Sequence, residues 1–404
     1  MAAQNNEKAS KTGIDNKGSL NNYGTLTGIG VQNNVVVNLN VYLEKDDVNC
    51  PYKGFSSFLP RDAEYFFGRD EFVKKLLTAI ETNNFIPVLG KSKTGKSSVI
   101  LAGLVPQLVK KAKNWLFTFF RPGEEPFYDL AQALVKLYIP DVNETELETE
   151  AKKLKSLLQN KTTSLSEIID KIQEKNPKNR ILIIADQFEQ LYSLCTDGET
   201  RYKFINSLLE TFQNSTEKSS LSTKLITAIG TNFLENAEFH KPLADVLEKD
   251  GITLEPMKSD QLREVIEKPT QKLGFKVEKK LLESLIKDVI NFKKEQESLA
   301  LLSFTLTKLW SQQNSKQFTY QVYQKISKYE KIVKAYSTAK KKRLEQKNFI
   351  KSVRKKNEIT GVPIIYRILI LLFLFFVGIP VILELLPMIF YDPYQIECKI
   401  KNKC

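Results

Sequence analysis

Histidine is almost missing from the chain: His240 stands alone, and the four cysteines, Cys50, Cys195, Cys398 and Cys404, include no CxxC pair. A zinc cluster, a Ser/His/Asp triad and a disulfide-stapled secreted module are all poorly supplied by such a set. The first ten residues hold no apolar run, so no cleavable signal peptide is expected. No repeat recurs between Pro51 and Tyr323, which argues against a solenoid or propeller. The NKxD motif that reads guanine and the LSGGQ motif of ABC-type transporters are also absent.

Charge, by contrast, is abundant and unevenly placed. Between Lys325 and Lys356 there are 13 Lys or Arg against two Glu, nearly the whole of the +13 excess. A long apolar run follows at once: Ile368 to Leu383 is uncharged, and the 20 residues from Ile364 to Leu383 match the thickness of a bilayer core. This predicts a transmembrane helix, with Arg367 snorkelling near its start and Pro380 tolerated as a kink. A basic flank before a span stays in the cytoplasm, so the large N-terminal part is expected to be cytoplasmic and the short tail translocated. Cys398 and Cys404 would then share an oxidising side, where they could pair. Position beside a span favours this topological reading of the basic run over nucleic-acid binding.

Gly18 to Leu43 lacks both charge and proline. Val35, Val37, Leu39, Val41 and Leu43 alternate at period two, which is strand-like, and no adjacent segment offers a partner. Asn-rich, uncharged strands of this kind stack between chains. A disordered tail, or a strand docked on the main domain, is the competing reading. The run TGIGVQNN (Thr27 to Asn34) is similar to the GxGxQNN core of amyloid signalling motifs at the N-termini of NLR-like proteins. That likeness implies a partner protein carrying a matching motif.

From about Pro51 to Tyr323 apolar strands alternate with Lys/Glu-rich amphipathic helices, the pattern of an α/β domain. Within it, the apolar FIPVL of Phe85 to Leu89 leads into GKSKTGKS and a helical run. This is a P-loop in strand-loop-helix context. Gly90 and Gly95 permit the wrapped turn, Lys96 supplies the cation between β- and γ-phosphates, and Ser97 is placed to coordinate Mg²⁺, with Ser98 following at the helix start. A second acidic anchor is expected on a neighbouring strand, and Ile181 to Ala185 ends on Asp186. The next position, where many such ATPases keep a glutamate, is Gln187; Glu189 is the nearest candidate to polarise water.

These motifs resemble the type-one novel STAND NTPases, relatives of the AP-ATPase and NLR switches. The likeness runs from about Cys50 to Tyr323 through CPYKGFSSFLPRDAEYFFGRDEF, WLFTFFRPGEEPFYDLAQAL, DQFEQLYSLC, LEPMKSDQLREVIEKP and ESLALLSFTLTKLW. It implies a three-layer P-loop α/β core at about 60–240, then a helical and winged-helix-like part at about 241–325, within a region spanning 49–325. Outside it lie the tail 1–48, the basic segment 326–362, the span 363–391 and the residues 392–404. It also implies ATP/ADP with Mg²⁺ as ligands, and Gly68 and Arg69 near the adenine. The chain departs from the family pattern after the fourth core strand, where Gly230 and Asn232 replace an Arg and an Asp. It departs again at an LPLL element, here Leu299, Ala300, Leu301 and Leu302. A γ-phosphate sensor is thereby missing, so nucleotide binding is expected with slow or absent hydrolysis. His240 matches a family position and is expected to be a surface or capping residue.

Two classes of function follow. In the first, ADP holds a membrane-anchored signalling switch closed, and ATP opens it to homo-oligomers that act as a defence or cell-death effector. In the second, the chain is a membrane-tethered housekeeping ATPase, or a hydrolysis-deficient scaffold.

Overall fold

A computed structural model describes residues 50–326, apart from 113, 140–141, 214–222, 234–239, 293–294 and 313–315, together with the single position 338. The N-terminal strand, the span over 363–391 and the terminal cysteine pair lie outside the described residues. Among the described residues, no helix is long and apolar enough to cross a membrane.

Five strands form one parallel sheet: Phe85–Gly90 (β1), Trp115–Phe120 (β2), Arg180–Ala185 (β3), Thr223–Gly230 (β4) and Ile252–Thr253 (β5), in the order β2-β3-β4-β1-β5. The first four are mostly apolar and, Arg180 apart, buried along their whole length because both their faces are covered; Thr118, Thr223, Lys224 and Thr227 are the buried polar exceptions. Side chains still divide at period two. Phe85 and Leu89 of β1 and Ile181, Ile183 and Ala185 of β3 enter one core, while Ile86, Val88, Leu182 and Ile184 enter the other.

On the second of these faces lie Asp70–Thr82 (α1) and the helix after the phosphate loop (α2). Helix α2 opens as Lys96–Ser98, widens into a π turn over Val99–Leu104, and resumes as Val105–Lys111. Pro106 has no N–H to give, so the regular ladder cannot pass through it unchanged. Gly103 lets α1 approach closely, since a Cβ there would stand 2.7 Å from Val73 Cγ2. The opposite face carries Pro126–Tyr138 (α3), Glu144–Gln159 (α4), Leu165–Lys175 (α5), Gln190–Leu194 (α6), Gly198–Phe212 (α7) and Lys241–Asp250 (α8).

A separate helical part contains Ser259–Lys272 (α9), Lys279–Ile290 (α10), Glu295–Ser311 (α11) and Tyr320–Ile326 (α12), with a short parallel ladder of Lys276–Val277 (β6) and Gln317–Phe318 (β7). Its own core includes Leu262, Ile266, Leu285, Leu306 and Phe318. Tyr52 joins that core and donates its hydroxyl to the Ile266 carbonyl at 2.6 Å, which ties the segment before the α/β layer to α9. The helical part begins later than the expected position 241: Leu243 and Leu247 of α8 pack beneath the sheet, and β5 pairs with β1. An amphipathic helix with one apolar stripe fits either layer, so only the packing partner decides.

Candidate functional site

β1 and α2 bracket the phosphate loop. The loop turns through left-handed conformations at Lys93 (φ 63°) and Gly95 (φ 95°), which glycine accepts at least cost. At the strand end, a Cβ on Gly90 would lie 2.9 Å from the Leu254 carbonyl oxygen, so that position also needs glycine. Lys96 folds into the loop, where its Nζ donates to the carbonyls of Gly90 (2.8 Å) and Lys91 (2.9 Å). Burial lowers the pKa of this ammonium, while Glu189 and Asp186 pull it the other way. Phosphate oxygens entering the loop would replace those two carbonyls as its acceptors.

The Ser97 hydroxyl donates to Asp186 Oδ1 at 2.6 Å. Asp186 does not sit on the neighbouring strand, as expected from the sequence: β4 lies between β1 and β3. The two residues meet because Asp186 follows the C-terminal end of β3 and Ser97 opens α2 beyond the C-terminal end of β1, on the same side of the parallel sheet. A hydroxyl and a carboxylate are hard oxygen donors of the kind Mg²⁺ takes, so this pair fits that ion.

Arg121, the first residue after β2, was not singled out by motif. Its Nε and Nη2 donate to Asp186 Oδ2 at 3.0 and 2.9 Å, and the carboxylate itself is only 2% exposed. The available signal was an arginine directly after an apolar strand, at the C-terminal end of a parallel sheet where ligands bind.

Gln187 takes a left-handed conformation (φ 52°), and its side-chain oxygen accepts from Gln190 Nε2 at the start of α6. Glu189 Oε2 accepts the Gly230 N–H at 3.0 Å and so braces the end of β4. The place of the missing arginine is occupied: a Cβ on Gly230 would meet Asn232 Oδ1 at 2.6 Å.

Arg69 is buried and clamps two main-chain carbonyls, Thr94 in the loop (3.0 Å) and Glu255 after β5 (2.9 Å). Burial pulls its guanidinium down to about 10, and among the described residues its Nε has no partner. Gly68 (φ 78°) lies against α9, where a Cβ would come 2.8 Å from the Gln261 carbonyl oxygen. Ser98 Oγ accepts the Phe58 N–H at 3.1 Å, which places the N-terminal segment over the loop.

These groups line a cleft of about 470 Å³ between the sheet and the helical part. Its apolar walls include Phe58, Phe66, Met257, Val265 and Leu299. Helix α11 covers the loop directly: Lys93 Nζ lies 2.9 Å from Glu297 Oε1, and Leu299 stands over Gly95. Of the altered LPLL element, Leu299, Ala300 and Leu302 face the cleft. His240 is a buried cap away from it. Its Nδ1 accepts the Leu243 N–H at 3.2 Å, so the ring proton sits on Nε2, 3.0 Å from Asn206 Oδ1.

An ammonium inside a glycine-bounded loop, a hydroxyl and a buried carboxylate at the C-terminal end of one parallel sheet form a P-loop nucleotide site. No curated protein matches the chain. Similar solved structures include the Walker-type ATPase PABY2304 of Pyrococcus abyssi, at 12% identity and TM-score 0.44, covering 76% of this chain and 79% of that one. The ORC2 protein of Aeropyrum pernix, in ADPNP and ADP complexes, is similar at 13% identity and TM-score 0.44, covering 71% of each chain. Domain III of the replication initiation protein DnaA of Thermotoga maritima follows at 13% and 0.39, covering 67% of this chain and 93% of that one. The family model Novel STAND NTPase 1 matches residues 51–353, and the chain belongs to that family.

Proposed function

We propose that this chain is a membrane-anchored, adenine-nucleotide-dependent signalling switch in which α11 is the cover that the nucleotide controls. The observation that carries the reading is the contact of α11 with the phosphate loop, through Lys93 with Glu297 and Leu299 over Gly95. A nucleotide in this cleft lies under that cover, so its phosphate number and the position of the cover are thermodynamically linked. Lys96 holds the phosphates, while Ser97 and Asp186 hold Mg²⁺, which would neutralise phosphate charge there. Adenine is favoured over guanine because the chain has no NKxD motif.

Slow hydrolysis fits the same site. Gln187 is spent on Gln190, and Glu189 is spent on the Gly230 N–H, so neither is held ready for water. Driving such a switch from 1:99 to 99:1 takes about 5.5 kcal/mol of differential binding, more than one phosphate contact supplies. A second input is therefore required, and stacking of the N-terminal strand with an amyloid-motif partner supplies it in this reading. Oligomers would then gather the apolar spans of 363–391, with Glu384 as a polar defect in the bilayer, as a defence or cell-death effector would.

The deciding experiment is the nucleotide content of full-length protein purified without added nucleotide, followed by steady-state turnover. Bound ADP with turnover far below ~1 s⁻¹ supports the switch; an empty site turning over near ~10 s⁻¹ ends it in favour of a continuously working ATPase. Membrane fractionation of the full chain and of a chain ending at 326 checks the anchor, which is lost if both are equally soluble.

A further inference from the structure

Four cations line the cleft: Arg69, Lys93, Lys96 and Arg121. Arg69 holds main-chain carbonyls, Lys96 holds the loop's own carbonyls, and Lys93 meets Glu297. Arg121 differs, because among its contacts is the carboxylate at which a metal ion would enter. Both oxygens of Asp186 are engaged, Oδ1 by the Ser97 hydroxyl and Oδ2 by the guanidinium. A divalent ion brought to Ser97 and Asp186 meets a positive charge already bound to the same buried group. At such range in a partly desolvated cleft, like charges repel strongly and one is displaced.

We infer that Arg121 is a displaceable counter-ion of Asp186. It neutralises the carboxylate while the site is metal-free, and it is released to the phosphate chain when magnesium takes its place. This rests on the nucleotide reading above. Two features make the released guanidinium a reader of the third phosphate. The end of β4, where the family pattern has an arginine, offers only Gly230, with Asn232 occupying the space. Arg121 also stands in the cleft lined by loop residues Ser92 to Ser98, with its guanidinium 5.4 Å from the Phe119 ring and its side chain 25% exposed. A planar, permanently charged fork suits phosphate oxygens as well as it suits carboxylate. The site would then tell ATP from ADP only in the presence of magnesium.

Fluorescent ADP and ATP analogues are titrated into the full chain with and without Mg²⁺, for the wild type and for Arg121→Gln. The wild type should favour ATP by about 10-fold or more in magnesium, the worth of one charge-assisted phosphate contact, and lose that preference without it. Arg121→Gln should abolish the preference in magnesium and lower the half-saturating Mg²⁺ concentration by about 10-fold, because no cation competes for Asp186. Arg121→Lys keeps the charge without the fork and should show both effects at lower amplitude, which preserves the test if the glutamine variant does not fold. An Arg121→Gln chain with an unchanged ATP preference and magnesium midpoint overturns the inference, as does an equal loss of both nucleotides. A wild type that binds neither nucleotide overturns the nucleotide reading and this inference with it.

Discussion

Lys93 Nζ and Glu297 Oε1 stand 2.9 Å apart across 204 residues of sequence, joining the tip of the phosphate loop to the first turns of α11. The side chains are 32% and 21% exposed, so the pair is screened and belongs near the modest end for ion pairs, about 0–1 kcal/mol. Glu297→Gln should therefore leave the fold intact and speed release of a fluorescent ADP analogue by about two- to five-fold. Stopped-flow displacement measures this, and an unchanged release rate would remove α11 from control of the site.

Lys96→Ala removes the cation that the loop is built around. Nucleotide affinity should fall about 10- to 100-fold, the worth of charge-assisted contacts to phosphate. Titration calorimetry with and without magnesium gives the number directly. The loss should appear in both conditions, because Lys96 acts on phosphate oxygens and not through the metal.

Gly68→Ala tests the joint between the two parts of the molecule. The position has φ 78°, and a methyl there would stand 2.8 Å from the Gln261 carbonyl oxygen and 3.0 Å from Val265 Cγ2. Left-handed strain and collision with main chain add, so a loss of about 2–4 kcal/mol is expected. Denaturant unfolding checks it. Gly274 provides the control: its φ is 76° with nothing within 4 Å of an added Cβ, so Gly274→Ala should cost only the strain, about 1–2 kcal/mol.

His240 makes stability depend on pH. Burial holds its pKa below the ordinary 6.5, and the neutral ring caps α8 by accepting the Leu243 N–H. A base with a depressed folded pKa contributes fully above its unfolded value and loses that contribution as pH falls toward the folded one. The thermal midpoint should therefore drop as pH is lowered from about 6.5, where unfolded histidine begins to bind protons. His240→Asn keeps a good capping acceptor without a titrating group, so this component should vanish in the variant.

The glycine-bounded loop, its lysine and serine, and the strand ending in Asp186 were legible because each is a contiguous stretch with local geometry. His240 was open only as a surface or capping residue; its burial against Asn206 follows from the packing of α8 on α7. Arg121 was not legible as a partner of Asp186, because the contact spans 65 residues and depends on β2 lying beside β3. The insertion of β4 between β1 and β3 was equally hidden. Apolar runs covered on both faces carry no mark of their neighbours.

Composition and order along the chain determined the strands that carry Leu89 and Ala185, where phosphate is gripped, and that a basic segment precedes a long apolar run, since these follow from backbone preference and hydropathy within a few residues. Tertiary structure alone decided that Asp186 meets Arg121 and Ser97, that Glu189 braces Gly230, and that α11 covers the loop. Such contacts depend on strand order and on how the helical part packs. Those are set by burying whole faces at once, and hydrophobic burial has magnitude but no direction that a local stretch of sequence could reveal.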